Sequence, residues 1–258
     1  MKSVLASLAR LALLVLLCAL SLQLYFLARV TTLIWVDPQS TTFQRSELWR
    51  LIQAPQALRW RQQWVALDAI GEPLKRAVIA AEDAGFAEHS GVEWDALEKA
   101  WERNQAAEER AEARADKAAA QGRAGQAAAA KSAPGLTLVG GSTITQQLAK
   151  NLFLGAERSL PRKTQEFVIT LMLEALLSKQ RILEIYLNHV EWGEGVFGAQ
   201  AAAQHYFQVD AAHLRPLQAA QLAVMLPAPR RFEKRPRSAY LMARARTVAA
   251  RMGSVDLP

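Results

Sequence analysis

Two neighbouring carboxylates lie where a helix could use one of them for chemistry. Glu82 falls at i+4 from Val78 and i+8 from Leu74, on the stripe that otherwise faces a core. Burial there raises the pKa of a carboxyl group and makes Glu82 a candidate general base, whereas Asp83 points roughly a quarter turn away. The alternative is a solvated edge or a local ion pair, the commoner setting for acidic side chains. Periodicity leaves both interpretations open.

A polar helix start further along the chain has the residues to hold an anion. In GGSTITQQLAKN (140–151), a double glycine ending at Gly141 precedes Thr143 and Gln146, which are spaced as a capping box. The stripe predicted to be buried is Ile144, Leu148 and Leu152, and the polar face opposite it is Thr143, Gln147, Lys150 and Asn151. Free backbone N–H groups and a positive dipole end suit a phosphate flanked by sugar hydroxyls. An ordinary capped surface helix fits the pattern equally well.

A third cluster, ERSLPRKTQE (157–166), places several cations before one carboxylate. Arg158, Arg162 and Lys163 precede Glu166 at the start of a long apolar helix. Several cations beside one carboxylate can neutralise a pyrophosphate leaving group and orient an acid, with a divalent cation as one way to do so. The alternative is an exposed basic helix start with an i,i+4 pair between Arg162 and Glu166.

The sequence lacks the patterns of two common cofactor sites. Residues 193–198 spell GEGVFG, a formal match to the dinucleotide fingerprint, yet they follow a helical pattern and no βαβ unit surrounds them. The 4 histidines show no HExxH or comparable ligand spacing, which argues against a zinc site. His89, in the loop predicted after Asp83, is of a kind that more often makes structural hydrogen bonds than catalyses. No organic cofactor is expected.

Length and composition bound the class of protein. With 258 residues, 51% of them hydrophobic, the chain can bury one sizeable core with attachments. The formal net charge of +7 and the pI near 9.8 indicate an anionic partner, without choosing among nucleic acid, a phospholipid surface and a phosphate-bearing substrate. The single cysteine, Cys18, excludes an intrachain disulfide.

An apolar run near the N-terminus predicts a membrane anchor. Leu11 to Ala28 is as long as a bilayer's hydrocarbon core requires at about 1.5 Å per helical residue. The alternatives are a cleaved signal peptide and a buried core helix, but the run exceeds a usual signal core and no small-residue cleavage pattern follows it. Lys2 and Arg10 precede the run, which predicts a cytoplasmic N-terminus and an external remainder.

The domain organisation follows from the anchor and from changes in composition. We expect a cytoplasmic N-terminus (1–10), an anchor with its interfacial flank (11–36), a juxtamembrane segment (37–70) and one domain (71–258). Inside that domain, an alanine-rich, low-complexity insertion occupies about 106–133. Strand signals are scarce, so the predicted fold class is mainly α with one N-terminal transmembrane helix.

Helical periodicity assigns buried faces to several segments. One apolar face is predicted at Leu74, Ala77, Val78 and Ala81. Residues 161–188 are apolar nearly all round, which predicts a buried element of one or two helices.

Aromatic residues among arginines suit an interfacial collar at the membrane, formed by Tyr25, Trp35, Trp49, Trp60 and Trp64. For Trp60 and Trp64, a place in the core is equally consistent.

Five ordered motifs resemble those of the peptidoglycan glycosyltransferase family, the lipid II polymerases. The motifs are AAEDAGFAEHSG, GGSTITQQLAKNLF, RKTQE, SKQRILEIYLN and GVFGAQAAAQHYF. The likeness spans roughly 64–232, and with the anchor the chain is similar to the monofunctional members of that family. The resemblance implies a lysozyme-like, α-helical glycosyltransferase head with a small membrane-associated jaw, held in the inner membrane and facing the periplasm.

The resemblance also implies roles for the matching positions. Glu82 matches the catalytic base that activates the 4-hydroxyl of the acceptor lipid II, while undecaprenyl pyrophosphate leaves the donor chain. Glu166 matches a second glutamate that positions the pyrophosphate or its divalent cation, Mg²⁺ or Mn²⁺. The implied substrate-binding positions are Asp83, Phe86, His89, Gly141, Ser142, Thr143, Gln146, Gln147, Lys150, Asn151, Arg158, Arg162 and Lys163.

Two alternatives of other kinds stay open at this point. A lytic, lysozyme-like glycosidase also uses a buried glutamate, but it needs no cradle for an anion. A non-catalytic, membrane-anchored cell-wall scaffold would use the basic tail instead.

The resemblance implies lipid II and the nascent glycan chain on undecaprenyl pyrophosphate as substrates. It further implies the membrane and cell-wall synthesis or division proteins as partners, and no nucleic acid.

Overall fold

The structure, a computed structural model, describes residues 2–53, 59–94, 142–155, 157 and 159–258. The chain divides into two compact units. The first unit is Met1–Gly91 with Ile144–Pro258, and every element named below belongs to it. The second unit is Val92–Thr143, of which only 92–94 and 142–143 are described. The insertion predicted at about 106–133, Gly141 and Arg158 lie outside the described residues.

The first unit is mainly α, which confirms the predicted fold class. Its described helices are α1 (Lys2–Thr32), α2 (Thr42–Gln53), α3 (Glu72–Glu82), α4 (Ile144–Phe153), α5 (Leu160–Leu176), α6 (Lys179–His189), α7 (Ala199–Phe207), α8 (Pro216–Met225), α9 (Pro229–Phe232) and α10 (Ala239–Arg251). Its described strands are β1 (Arg61–Gln62), β2 (Glu191–Gly193) and β3 (Val196–Phe197). Strand β3 lies in the middle, parallel to β1 and antiparallel to β2.

The glycine-rich segment GEGVFG is the hairpin between β2 and β3. Gly195 has a φ of +72°, and a Cβ atom there would collide with the backbone oxygen of Arg59. Only glycine tolerates both the positive φ and that close approach. The segment therefore serves a tight turn, which agrees with its exclusion as a dinucleotide fingerprint.

Helix α3 packs against α8 and α10. Leu74, Ala77 and Val78 are fully buried, as their spacing predicts. Ala81 is exposed, so its predicted place on this face is wrong, and Ile79 is buried instead. The reason is that α3 ends at Glu82, so its last two residues lie beyond the buried part of the helix. Glu82 is thereby delivered to the rim of the core.

The apolar segment after residue 160 forms two helices with different surroundings. Helix α6 is buried along most of its length, as predicted. Helix α5 is not buried all round, because Leu171 is 44% exposed and Leu160 is 85% exposed. A helix that is apolar on every side can face either a core or lipid, and periodicity does not separate the two. Helix α5 packs on α4 with one side and against α1 with another.

Helix α1 contains the candidate membrane span. Ala6–Thr32 has a mean hydropathy of 2.4 and is long and apolar enough to cross a bilayer. Its final turns dock on the unit through the buried side chains of Phe26 and Val30. Gln23 and Gln165 of α5 exchange two amide hydrogen bonds, at 2.8 and 3.0 Å. Such pairing satisfies polar groups that would be costly in an apolar medium, and it fixes the rotation of α1 against α5.

Arg181 of α6 fastens the chain just beyond α1. Its Nε donates to the carbonyl of Leu33 at 2.8 Å, and its Nη2 donates to the carbonyl of Val36 at 3.2 Å. Nη2 also lies 2.8 Å from Asp37 Oδ1, and Nη1 donates to Glu184 Oε2 at 2.7 Å. A cation here satisfies carbonyls and complements the negative end of the helix dipole.

We expect Arg181→Met to loosen the anchor from the rest of the unit. The change removes several charge-assisted hydrogen bonds and should lower the free energy of unfolding by about 2–4 kcal/mol. Thermal unfolding in lipid nanodiscs, followed by tryptophan fluorescence, measures the effect. Arg244→Met, an exposed position on α10, is the matched control and should leave the midpoint unchanged. Equal midpoints for the two variants would contradict the fastening role.

The aromatic residues of the predicted collar divide into two groups. The exposed group consists of Tyr25, Trp35 and Trp49. Trp60 instead packs on the ring of Phe197, with centroids 4.5 Å apart. Trp64 packs edge-on to His189 at 5.7 Å. The two alternatives left open for Trp60 and Trp64 are thus resolved in favour of packing on the protein.

Candidate active site

Glu82 presents a carboxylate with one oxygen held and one oxygen available. Gln147 on α4 donates from Nε2 to Glu82 Oε2 at 2.8 Å. Within the described part of the chain, no group makes a hydrogen bond to Oε1. Burial is the largest cause that raises the pKa of Glu82, and Asp83 raises it further, whereas Gln147 and Lys150 lower it. A half-buried carboxylate with a raised pKa is suited to take a proton near neutral pH.

Asp83 ties the end of α3 to the start of α4. Its Oδ2 accepts the backbone N–H of Ile144 at 2.9 Å, and its Oδ1 lies 2.7 Å from His89 Nε2. The backbone N–H of Gly91 donates to His89 Nδ1, so Nε2 carries the proton that Asp83 accepts. The first backbone donor of α4 is therefore used by the protein's own carboxylate. Of the free backbone N–H groups expected at this helix start, the one of Ile144 is already satisfied.

Phe86 supports this corner from inside the core. Its side chain is fully buried, and the ammonium of Lys179 lies 4.5 Å from its ring centroid. The same ammonium donates to Glu174 Oε1 at 2.8 Å, which also accepts from the hydroxyl of Thr145. The structure thus places Phe86 and Asp83 where they hold the frame of the site together. Their predicted contact with substrate stays a prediction.

Helix α4 separates its apolar and polar faces as predicted. The buried stripe is confirmed at Ile144, Leu148 and Leu152. Gln147 and Asn151 are half-buried on the polar face, which leads from Glu82 to Lys150. Gln146 is buried, and Ser142 and Thr143 belong to the second unit. The predicted substrate contacts of these residues and the capping box stay predictions.

The cationic cluster at the start of α5 is organised around a buried carboxylate. Glu166 is 3% exposed, and it accepts from Arg162 Nη1 at 2.7 Å and from Lys163 Nζ at 2.5 Å. The hydroxyl of Ser159 caps the helix by accepting from the backbone N–H of Arg162. Arg162 Nε is buried and has no hydrogen-bond partner in the described part of the chain. An anion bound at this cluster would satisfy that donor.

Lys150 stands electrostatically between the two carboxylates. Desolvation is the largest cause that lowers its pKa, and Arg162 and Lys163 lower it further. Glu166 and Glu82 act in the opposite direction and raise it. Lys150 thus interacts electrostatically with both the candidate base and the cationic cluster. A hydroxyl bound at Glu82 and a pyrophosphate bound at Arg162 would lie at opposite ends of the polar face of α4.

The cluster does not form a metal site by itself. Both oxygens of Glu166 already accept hydrogen bonds from cations. Among the described residues, no group of three or more histidine, cysteine, aspartate or glutamate side chains is placed to hold a metal ion. A divalent cation needs several oxygen ligands, so Glu166 alone does not fit that role.

Sequence reasoning missed one polar contributor to the site. Tyr186, on α6, donates from its hydroxyl to Gln147 Oε1 at 3.0 Å. It sits in an apolar helical run and reads there as a core aromatic residue. The available signal was its hydroxyl, because a buried tyrosine O–H usually finds a hydrogen-bond partner.

Comparison with known proteins identifies relatives over nearly the whole chain. The sequence model of the family described as Transglycosylase matches residues 50–113 and 117–253. A biosynthetic peptidoglycan transglycosylase of Burkholderia thailandensis is 48% identical over 239 residues, which cover 93% of this chain and 83% of the relative. Its counterpart in Paraburkholderia phytofirmans is 46% identical over 239 residues, covering 93% and 88%. That of Bordetella avium is 47% identical over 238 residues, covering 91% and 90%.

Proposed function

The chain belongs to the Transglycosylase family and is a peptidoglycan glycosyltransferase of cell wall synthesis, and from that premise we propose that it polymerises lipid II. The product would be a β-1,4-linked glycan strand, and undecaprenyl pyrophosphate would be released. The observation that carries this proposal is the pairing of an available carboxylate oxygen at Glu82 with a cationic cluster at Arg162, Lys163 and Glu166. The polar face of α4 joins the two ends.

We assign the role of general base to Glu82. Oε1 would take the proton from the 4-hydroxyl of the acceptor lipid II as that oxygen attacks the anomeric carbon of the donor. Gln147 holds the other oxygen, so the carboxylate can turn only within limits. The raised pKa strengthens Glu82 as a base relative to an ordinary glutamate.

We assign stabilisation of the leaving group to the cluster on α5 and to Lys150. Charge develops on the pyrophosphate as the glycosidic bond breaks, and preorganised cations lower the energy of that state. Glu166 holds Arg162 and Lys163 in place, and the unsatisfied Nε of Arg162 supports an anion as the missing partner. Attack and departure on opposite faces of the sugar convert an α linkage to a β linkage in one displacement. No covalent glycosyl intermediate is required.

A divalent cation stays a proposal derived from the family resemblance. The residues present offer no complete set of ligands, so Mg²⁺ or Mn²⁺ would be bound mainly by the pyrophosphate of the substrate. In this protein, Arg162, Lys163 and Lys150 supply the positive charge for the leaving group.

We propose that the chain is a single-pass protein of the bacterial inner membrane with its catalytic unit in the periplasm. The apolar helix α1 supports membrane anchoring, and Lys2 and Arg10 before it favour a cytoplasmic N-terminus. Exposed apolar side chains on α2 and α5, Trp49, Leu160 and Leu171, support a jaw that touches lipid. Recruitment by cell-wall synthesis or division proteins stays a proposal from the resemblance alone.

The experiment that tests the proposed function offers the full-length protein two substrates. We expect undecaprenyl pyrophosphate to be released from lipid II, and no soluble fragments from preformed glycan strands. Fragments from preformed glycan would favour the lytic glycosidase, which the cationic cluster does not support. A folded protein that acts on neither substrate would favour the non-catalytic scaffold.

The pH dependence of kcat/KM should report the raised pKa of Glu82. The base must be ionised, so activity is present above its pKa and is lost as pH falls through it. We expect the acidic limb to lie above 4.5, the ordinary value for glutamate. Gln147→Met removes a donor that lowers the pKa of Glu82, so the limb should move to higher pH.

The control for this prediction is Gln221→Met. Gln221 is a buried amide on α8 that donates to the carbonyl of Pro236 and plays no part in the proposed chemistry. Its profile should follow that of the unmodified enzyme. An acidic limb below 4.5, or one that Gln147→Met leaves in place, would be incompatible with Glu82 as the base held by Gln147.

A further inference from the structure

Three side chains from three helices form a hydrogen-bonded chain that ends at the candidate base. Tyr186 of α6 donates to Gln147 Oε1 at 3.0 Å, and Gln147 of α4 donates from Nε2 to Glu82 Oε2 at 2.8 Å. Tyr186 is only 1% exposed, so its hydroxyl is not in contact with bulk solvent. The geometry connects a residue in the core to the rim of the site.

The direction of this chain follows from the chemistry of its members. An ionised carboxylate only accepts hydrogen bonds, so the NH₂ group of Gln147 must face Glu82. The carbonyl oxygen of that amide then points to Tyr186, whose O–H must be the donor. Burial raises the pKa of Tyr186 well above its ordinary value, and Glu82 and Asp83 raise it further. The hydroxyl of Tyr186 therefore keeps its proton at every pH at which the enzyme is active.

We propose that Tyr186 is a positioning residue for the reaction: through Gln147 it fixes which oxygen of Glu82 is held and leaves Oε1 as the atom that takes the proton. Without the hydroxyl, the Gln147 amide loses one of the contacts that orient it toward the carboxylate, so it donates to Glu82 for less of the time. This inference rests on the proposed function, in which Glu82 is the base. Tyr186 itself touches no reacting atom.

Several charged and titratable groups surround Glu82 and influence its pKa. Asp83 faces it from the position directly after α3, Lys150 from α4, and Tyr186 from α6. Glu166 of α5 acts on Lys150, which also faces Glu82. A change confined to the Tyr186 hydroxyl leaves all the other charges in place.

The test is the pH profile of lipid II polymerisation by Tyr186→Phe in the full-length protein. We expect kcat/KM at acidic pH to fall about five- to tenfold, the effect of losing one buried neutral hydrogen bond. The acidic limb should move to higher pH, because the carboxylate loses part of its stabilising donor. The loss should be smallest at alkaline pH, with unchanged KM, since Glu82 is then ionised in both enzymes and they differ only in how firmly its oxygens are oriented.

Two further variants make the test specific. Tyr206→Phe is the matched control, because its hydroxyl donates to the carbonyl of Trp192 at 2.8 Å, away from Glu82, and its loss should not move the profile. In a Gln147→Met background, Tyr186→Phe should add no further shift, because the connection is already cut. A loss that is equal at every pH, or a shift that adds in full to that of Gln147→Met, would refute the proposal.

The proposal stays testable even where Tyr186→Phe fails to fold. Replacement of Tyr186 by 3-fluorotyrosine keeps the ring and makes the O–H a stronger donor, so the acidic limb should move to lower pH. No movement of the limb would overturn the positioning role. Failure of the proposed function is distinguished by the unmodified enzyme, which would then release no undecaprenyl pyrophosphate from lipid II at any pH.

Discussion

Replacing Glu82 by Gln is expected to lower kcat for lipid II polymerisation by about a thousandfold. The amide has the shape of the carboxylate but cannot accept the proton of the acceptor hydroxyl. Gln147, which donates to Glu82 Oε2 at 2.8 Å, can donate equally to an amide oxygen, so the local structure should persist. Polymerisation of labelled lipid II in nanodiscs measures the loss, and thermal unfolding confirms that the variant is folded.

The matched control is Glu72→Gln at the other end of α3. The side chain of Glu72 is 59% exposed and pairs with Arg76, one turn along the helix. This variant loses a carboxylate from the same helix but not from the site, so its kcat should equal that of the unmodified enzyme. Should Glu82→Gln keep near-normal kcat, the base would have to be sought elsewhere.

Glu166→Gln is expected to lower kcat by about a hundredfold without raising KM. The buried carboxylate accepts from Arg162 at 2.7 Å and from Lys163 at 2.5 Å, and its loss frees both cations from a fixed geometry. The extra positive charge still attracts pyrophosphate, so binding of lipid II is retained. The leaving group then loses oriented stabilisation in the transition state, which lowers kcat.

Glu174→Gln provides the comparison on the same helix. Glu174 is also largely buried and also pairs with a lysine, Lys179, at 2.8 Å. Both variants should lower the thermal midpoint, but only Glu166→Gln should lower kcat by two orders of magnitude. Equal kcat values for the two variants would show that Glu166 stabilises the fold and does not organise the leaving-group site.

Local patterns predicted much of the site because helices place residues by spacing alone. The buried stripe of Ile144 and Leu148 and the carboxylate Glu82 at the rim of α3 both follow from a period of 3.6 residues. The i,i+4 contact of Arg162 with Glu166 follows from the same rule, although the sequence did not show that Glu166 is buried.

Contacts between distant segments could not be predicted in this way. Asp83 accepts from the N–H of Ile144, 61 residues later, and Tyr186 reaches Gln147 from a different helix. Such pairs depend on how helices pack, and packing is set by the whole core. The sequence predicts free backbone N–H groups at the start of α4, and it gives no sign that Asp83 accepts from the N–H group of Ile144.

The burial of an apolar helix also cannot be predicted without knowing its tertiary contacts. Helix α5 is apolar on nearly all sides, yet Leu160 and Leu171 are exposed because α1 and α4 cover only part of its surface. Trp60 and Trp64 show the converse, since aromatic rings that suit a membrane interface pack on Phe197 and His189. A sequence pattern shows that a side chain prefers apolar surroundings, but it does not show whether these are the protein core or the lipid.

The measurement that tests the account most directly is the linkage formed by the purified full-length protein from labelled lipid II. The product is digested with a muramidase that cleaves β-1,4 linkages, and the fragments are resolved by size. We expect a polymer that the muramidase converts completely to disaccharide units, and no polymer from Glu82→Gln. A polymer that resists the muramidase, or one formed equally well by Glu82→Gln, would contradict an inverting displacement with Glu82 as its base.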